Sequence, residues 1–286
     1  MVAFEVPEVD FSRYSNRQLA AVPVALLLAA MLVLGTWTAL YGTPASLGIE
    51  FTGGTELVVH TQDTAPQIRQ TFDRPVSSVR SIQAQPNTYI VTFQSTDDEA
   101  IRSHATSAGY EVESLATTSA TFGRGAQTTA LYGVVVAFVG MSLVVFALFR
   151  TFVPSLAVVV SAFGDIAVPV ALMNLFGIQL SLGTVAALLM LIGYSVDSDI
   201  LLTNHVLRRS GGFYESVARA MRTGVTMTVT SISATAVMAV VSYLFGIPLL
   251  PAIGLVLVLG LSTDLLNTYL LNLSLLRWYK YEGVAR

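Results

Sequence analysis

The chain has 286 residues, 53% hydrophobic and only 12% charged, with a formal net charge of −3 and a mean hydropathy of +0.67. A soluble domain carries about 25% charged residues, and here the apolar residues run together in long blocks instead of alternating. This composition excludes an ordinary water-soluble enzyme domain and defines a polytopic α-helical membrane protein. There is no cysteine, so neither disulfides nor thiolate-bound metals contribute.

A polar segment, 1–18, precedes the first apolar run, 19–41. That run is far longer than the apolar stretch of a cleaved signal and reads as an uncleaved anchor. Residues 42–127 contain no comparable run and form one inserted domain. Just before its first strand stands "LGIEFTGGTEL" (47–57), where Gly53 and Gly54 permit positive φ or close backbone approach; from the residues alone this is a tight turn from span to strand. The stretches 55–61, 78–83, 87–93 and 110–119 alternate like strands, and 64–72 and 96–109 read as helices opened by Thr64 and Thr96. The order βαββαβ is the ferredoxin-like α+β motif. His60 and His104 are isolated histidines without convergent partners and read as structural or exposed; the insert is a binding or docking module.

Five more spans follow at 128–149, 152–176, 180–203, 223–246 and 250–272. Each is long enough to cross about 30 Å of hydrocarbon at about 1.5 Å per residue. Within the loop 204–222, "FYESVARAMR" follows two glycines. Val217 and Met221 share a face there and Glu215 and Arg219 can pair, which reads as an interfacial amphipathic helix. A tail, 273–286, ends the chain. Arg13 and Arg17, Arg150, Arg208, Arg209, Arg219 and Arg222, and finally Arg277, Lys280 and Arg286 all lie on one side of this arrangement. The positive-inside rule makes that side cytoplasmic, with both termini, and makes 42–127 extracellular. The insert holds nine acids against five arginines, and the whole chain has a single lysine, Lys280. Such an acidic, lysine-starved surface is compatible with life in high salt.

Four acids fall within the spans: Asp165, Asp197, Asp199 and Asp264. A carboxylate at the bilayer centre costs about 2.5–3.5 kcal/mol on insertion scales and is seldom kept without a partner or a role. Asp165 and Asp264 lie close to mid-span. Asp197 lies about 9 Å toward the cytoplasm from the centre of its span, and Asp199 lies deeper on that side, where hydration is expected. Two positions are about 200° apart on a helix, so Asp197 and Asp199 face different ways. The structural alternative is that the acids bond to nearby polar side chains, Thr226, Thr228, Thr230, Ser231, Ser233, Ser262, Thr263 and Asn267. Without a basic residue in the membrane, either a protonated carboxyl or a cation held by acids and hydroxyls would satisfy them.

Three stretches carry a family resemblance. "GIEFTGG" (Gly48, Glu50, Phe51, Thr52, Gly53, Gly54) resembles the "GIDFTGG" signature of the SecD/SecF protein-export family of the RND superfamily, and "GYSVDSD" (from Gly193, Tyr194 and Ser195) resembles that family's fourth-span segment. "SAFGDIAVP" (161–169) resembles a third-span segment that elsewhere ends in a His-Asp pair, with Gly164 in the histidine's place. The sequence departs in two further ways: the usual fourth-span acid position is Ser198, flanked by acids, and a fifth-span arginine is replaced by Thr226.

The resemblance implies an RND half of one plus five spans. It would be an accessory subunit of protein export rather than a stand-alone enzyme, and it would work with SecD, the Sec translocon channel of SecY type, the translocating polypeptide and membrane lipids. It implies no cofactor, no resident metal and no nucleic-acid partner. Asp197 matches the acid of the SecD half and is the first candidate for an ion- or proton-linked step, with Asp165 and Asp264 secondary and Asp199 last. A lipid or small-molecule exporter subunit and a purely structural partner are the alternatives; an insert of about 85 residues is small for the porter domain of an exporter.

Overall fold

The computed structural model describes residue 6, residues 9–208 and residues 212–283. Arg209, Ser210, Gly211 and Arg286, which entered the charge and loop readings, lie outside them, as does the side chain of Arg208.

The first long helix, α1 (Asn16–Tyr41), opens on a capping box in which Ser15 accepts from Gln18 N and the Gln18 side chain accepts from Ser15 N. It ends at Gly42 in the left-handed conformation. A single helical turn, α2 (Ile49–Thr52), follows where the sequence suggested a plain turn. Then come β1 (Gly54–His60), α3 (Ala65–Thr71), β2 (Val76–Ser81), β3 (Thr88–Phe93), α4 (Asp98–Ser107) and β4 (Glu111–Thr118). The expected βαββαβ order is present. The strands form one antiparallel sheet in the order β2-β3-β1-β4.

Period-two alternation places Leu57, Val59, Val91 and Phe93 on one face, where Ile68 and Phe72 of the α3 region and Ile101 and Ala105 of α4 cover them. Thr64 caps α3 as expected. The cap of α4 is Asp97 rather than Thr96, its carboxylate accepting from Ala100 N at 3.2 Å. His60 bonds to Thr88 Oγ1 and His104 to Thr71 O, so both histidines have structural partners.

The remaining helices are α5 (Ala120–Phe149), α6 (Phe152–Phe176), α7 (Leu182–Arg208), α8 (Phe213–Leu244), and α9 (Leu250–Leu266), which runs on through a π-helical turn, Asn267–Asn272, into α10 (Leu273–Trp278). With α1 they supply, among the described residues, six helices long and apolar enough to cross a membrane. The chain is therefore a multi-pass membrane protein with a small α+β domain inserted between the first two spans. In the bundle α6, α7 and α9 are largely buried, while α1, α5 and α8 leave most of their surface to lipid or partners. Small residues allow the closest approaches: a Cβ at Gly254 of α9 would lie 2.7 Å from the Ala239 Cβ of α8.

Three expectations are corrected. The helix of the second span does not start at 128: α5 begins eight residues early, at Ala120, with Ser119 as its cap. The segment 213–222 is not a separate interfacial helix but the first turns of α8. No breaker separates it from the span, and Phe213, Val217 and Ala220 are buried against Leu202, Val206 and Leu276. The expected Glu215–Arg219 pair does form, at 2.8 Å. Residues 273–283 of the expected tail are helical. They continue α9, and Arg277 binds the start of the chain, donating to Tyr14 O at 2.8 Å and to Asn16 Oδ1, while Lys280 reaches Val206 O.

Candidate functional site: a buried carboxylate cluster

In α7 the residues Ser195, Ser198 and Asp199 stand at helical spacing i, i+3, i+4, so they share one face. Asp264, Thr268 and Asn272 do the same at i, i+4, i+8 along α9 and the π turn, and Asp165 of α6 meets both stripes. Asp165 and Asp199 are 0% exposed and Asp264 1%, at the centre of the three buried helices.

Asp165 accepts from Ser195 Oγ and, at 2.6 Å, from Asn267 Nδ2. Asp264 Oδ1 lies 2.8 Å from Ser198 Oγ and 3.2 Å from Thr268 Oγ1. Asp199 Oδ1 accepts from Thr268 Oγ1 and Asn272 Nδ2, each at 2.8 Å. Ser198 and Thr268 also lie 3.1 Å apart. A hydroxyl has one hydrogen, so Thr268 can donate to Asp199 or to Asp264 but not to both at once. Among the described residues no lysine or arginine takes part in this network. No group of three or more histidines and acids among them is spaced to hold a metal ion.

The placement of Asp199 corrects the expectation that it is hydrated near the cytoplasmic face: the π turn carries Asn272 and Thr268 onto it and closes it off. Asp197 points elsewhere, as the helix geometry requires. It lines an open groove of about 460 Å³ between α7, α8 and α9, with Tyr194, Met227, Thr228 and Ser231. Of the hydroxyl and amide side chains expected to satisfy the acids, Asn267 does so; Thr226, Thr230, Ser233, Ser262 and Thr263 donate to carbonyls of their own helices. The donors the sequence reading passed over are Ser198, Thr268 and Asn272. Thr268 and Asn272 signalled themselves by their i+4 and i+8 spacing from Asp264 within the sixth span, and Ser198 by standing next to Asp199 on the same stretch of α7.

Gly164 has a physical reason to be glycine. A Cβ there would stand 2.7 Å from Asn267 Nδ2, so the amide that binds Asp165 fills the room a larger side chain would need.

The glycine motif lies away from this cluster, where the inserted domain meets the bundle. Gly53 has φ 85° and Gly54 φ 148°, and a Cβ on Gly53 would come within 2.8 Å of Ala120 N at the start of α5. Phe51 is buried. Thr52 Oγ1 folds back on Gly48 O and Gly53 O. Gly48 N donates to Leu180 O at 2.8 Å, Leu180 N donates to Ser46 O at 2.7 Å, and Glu50 Oε2 accepts from Leu182 N, the first residue of α7, at 2.5 Å. Gly193 and Tyr194 lie on the exposed side of α7 while Ser195 faces Asp165.

A one-plus-five arrangement of apolar helices with an inserted βαββαβ domain, a glycine motif where the two meet and buried acids on three helices defines a polytopic membrane protein with a small α+β insert. A family model described as "Protein export membrane protein SecD/SecF, C-terminal" matches residues 99–282, and one described as "SecD/SecF GG Motif" matches residues 38–65. The chain belongs to the SecD/SecF family of protein-export membrane proteins.

Among its relatives are the SecF proteins of Haloferax volcanii, 62% identical over 288 residues, and Haloquadratum walsbyi, 61% identical over 292 residues, each covering 100% of both chains. SecF of Methanocaldococcus jannaschii is 38% identical over 93% of this chain and 96% of its own. These haloarchaeal and methanogen relatives support an archaeal origin. In fold the chain is similar to a crystal structure of SecDF, titled a translocon-associated membrane protein, from Thermus. The TM-score is 0.71 at 20% identity, over 96% of this chain and 39% of that one.

Proposed function

We propose that the chain is an accessory subunit of the Sec protein-export machinery. It pairs with SecD beside the translocon channel and links a protonation or ion-binding step in the membrane to work on the polypeptide outside. Its observed similarity to full-length SecF proteins supports the export role. The observation that carries the coupling step is the cluster of Asp165, Asp199 and Asp264, buried without a basic partner among the described residues. Three carboxylates sharing too few hydroxyl hydrogens suit a cluster that keeps a proton, and Thr268 can swing its hydrogen from one acid to the other as that proton moves. Asp197, on the open groove, faces the SecD half. The protein sits in the cytoplasmic membrane with both termini inside and the sheet domain outside. This role contains no catalytic reaction. The four-stranded domain gives the exporter alternative no porter to work with.

The test is single Asp→Asn substitution in the intact complex, reading export of a reporter protein beside recovery of SecD and the channel on a tagged copy. Asp199→Asn and Asp264→Asn are expected to leave recovery intact and to lower export at least tenfold, whereas Asp197→Asn lowers recovery of SecD. Normal export by every buried-acid variant would leave the cluster structural, and recovery of neither partner by the parent would remove the export role.

A further inference from the structure

We propose that Glu50 is a positioning residue that ties the inserted domain to α7, so that a change of state at Ser195, Ser198 and Asp199 is felt by that domain, and the reverse. The proposal rests on the coupling step described above. Its geometry is independent of it. Glu50 Oε2 accepts from Leu182 N at 2.5 Å, across a sequence separation of 132 residues, and so places a carboxylate at the amino-terminal end of α7. That end already has its own local cap, Ser181 Oγ accepting from Thr184 N at 3.1 Å, so the helix does not depend on Glu50 to begin. What Glu50 adds is a cross-link.

The surrounding backbone makes the link stiff. Residues 46–48 pair with Leu180 through two hydrogen bonds, Ser46 N donates to Asn174 Oδ1 at 3.1 Å, and Asn174 Nδ2 donates to Pro44 O at 2.8 Å. On its other side α2 is seated on α5, where a Cβ at Gly123 would lie 2.7 Å from Phe51 O. From Leu182 an unbroken helix runs thirteen residues to Ser195 and seventeen to Asp199, about 20–25 Å at 1.5 Å per residue. A helix of that length moves as a rod. Displacing its cluster end by a change in hydrogen bonding shifts the end Glu50 holds, and α2 leads directly into β1 through Gly53 and Gly54.

Hydrogen–deuterium exchange on the full chain in detergent tests the link without recourse to export. Asp199→Asn, which alters the cluster alone, is expected to change exchange at residues 44–60 severalfold when Glu50 is present and clearly less when Glu50→Ala is also present, since only the backbone bonds to Leu180 and those to Asn174 then remain. Glu50→Gln, which keeps an acceptor oxygen at the same reach, restores the response; Glu50→Asp, one methylene shorter, does not, and it serves where Glu50→Ala fails to fold. An Asp199→Asn response of equal size with and without Glu50, or no response in the parent, overturns the proposal. A normal response in a chain whose buried-acid variants export normally would fault the coupling reading and leave the link standing.

Discussion

Asp165 owes its place to a pair of residues that fit each other. Asn267 reaches it from the π turn at 2.6 Å, and the amide occupies the space over Gly164. Gly164→Ala should therefore push Asn267 away from Asp165 and destabilise the chain by about 1–3 kcal/mol, the usual cost of overpacking. Asn267→Ala leaves Asp165 short of its amide donor, at about 1–3 kcal/mol. The two changes touch the same space, so the double variant should cost clearly less than their sum when thermal unfolding is followed in detergent; strict additivity would show that they do not interact.

A second residue-scale outcome concerns Glu56 in β1, outside the membrane. Burial raises its carboxyl above the ordinary carboxylate range, Arg80 at 4.0 Å pulls it partly back, and Glu50 adds to the rise. The folded chain thus holds this proton at pH values where the unfolded chain has lost it. The contribution of Glu56 to stability is present at low pH and is lost as pH rises through the raised folded-state value. Glu56→Gln should flatten the pH dependence of the unfolding midpoint, gaining on the parent above that window and not below it.

Single residues were legible where chemistry makes them unusual: Asp165 and Asp264 stand out in apolar spans. Serine and threonine do not, because in membrane helices most of them donate to their own backbone, as Thr226, Thr230 and Ser262 do. Only three-dimensional proximity separates Ser198 and Thr268 from that crowd.

Elements with a local code were read from the sequence and elements shaped by packing were not. The four strands alternate and the cap at Thr64 is spelled out, but the early start of α5 follows from its seat on α2. Gly123 allows that seat: a Cβ there would collide with the Phe51 carbonyl at 2.7 Å, while Gly125, two positions on, has nothing within 4 Å. Gly123→Ala should destabilise the joint by about 1–3 kcal/mol. Gly125→Ala should be neutral or stabilising by up to about 1 kcal/mol, because alanine is the better helix former. Equal effects of the two on thermal unfolding would mean that α2 and α5 are not in register as described. The π turn at Asn267–Asn272 escaped for a similar reason. Its wider winding leaves no mark in an apolar periodicity, yet it sets Asn267 toward Asp165 while Thr268 and Asn272 turn to Asp199.

At the scale of the whole molecule, orientation rests on arginine. Arg13, Arg17, Arg150, Arg219, Arg222 and Arg277 flank the span ends that chain order sets opposite the sheet domain, and Arg277 ties α10 to the start of α1 while Lys280 ties it to Val206 of α7. Short basic segments are retained on the cytoplasmic side during insertion, so the sheet domain is expected outside and Glu282 inside. The cysteine-free sequence makes this directly measurable, since any introduced thiol is unique. Ser107, at the end of α4, and Glu282, beyond α10, are both exposed, so reactivity reports their side of the membrane and not their burial. In intact cells an impermeant maleimide should label Ser107→Cys and spare Glu282→Cys, and permeabilisation should make both reactive. Labelling of Glu282→Cys in sealed cells, with Ser107→Cys protected, would invert the molecule and place the proposed work of the sheet domain on the wrong side of the membrane.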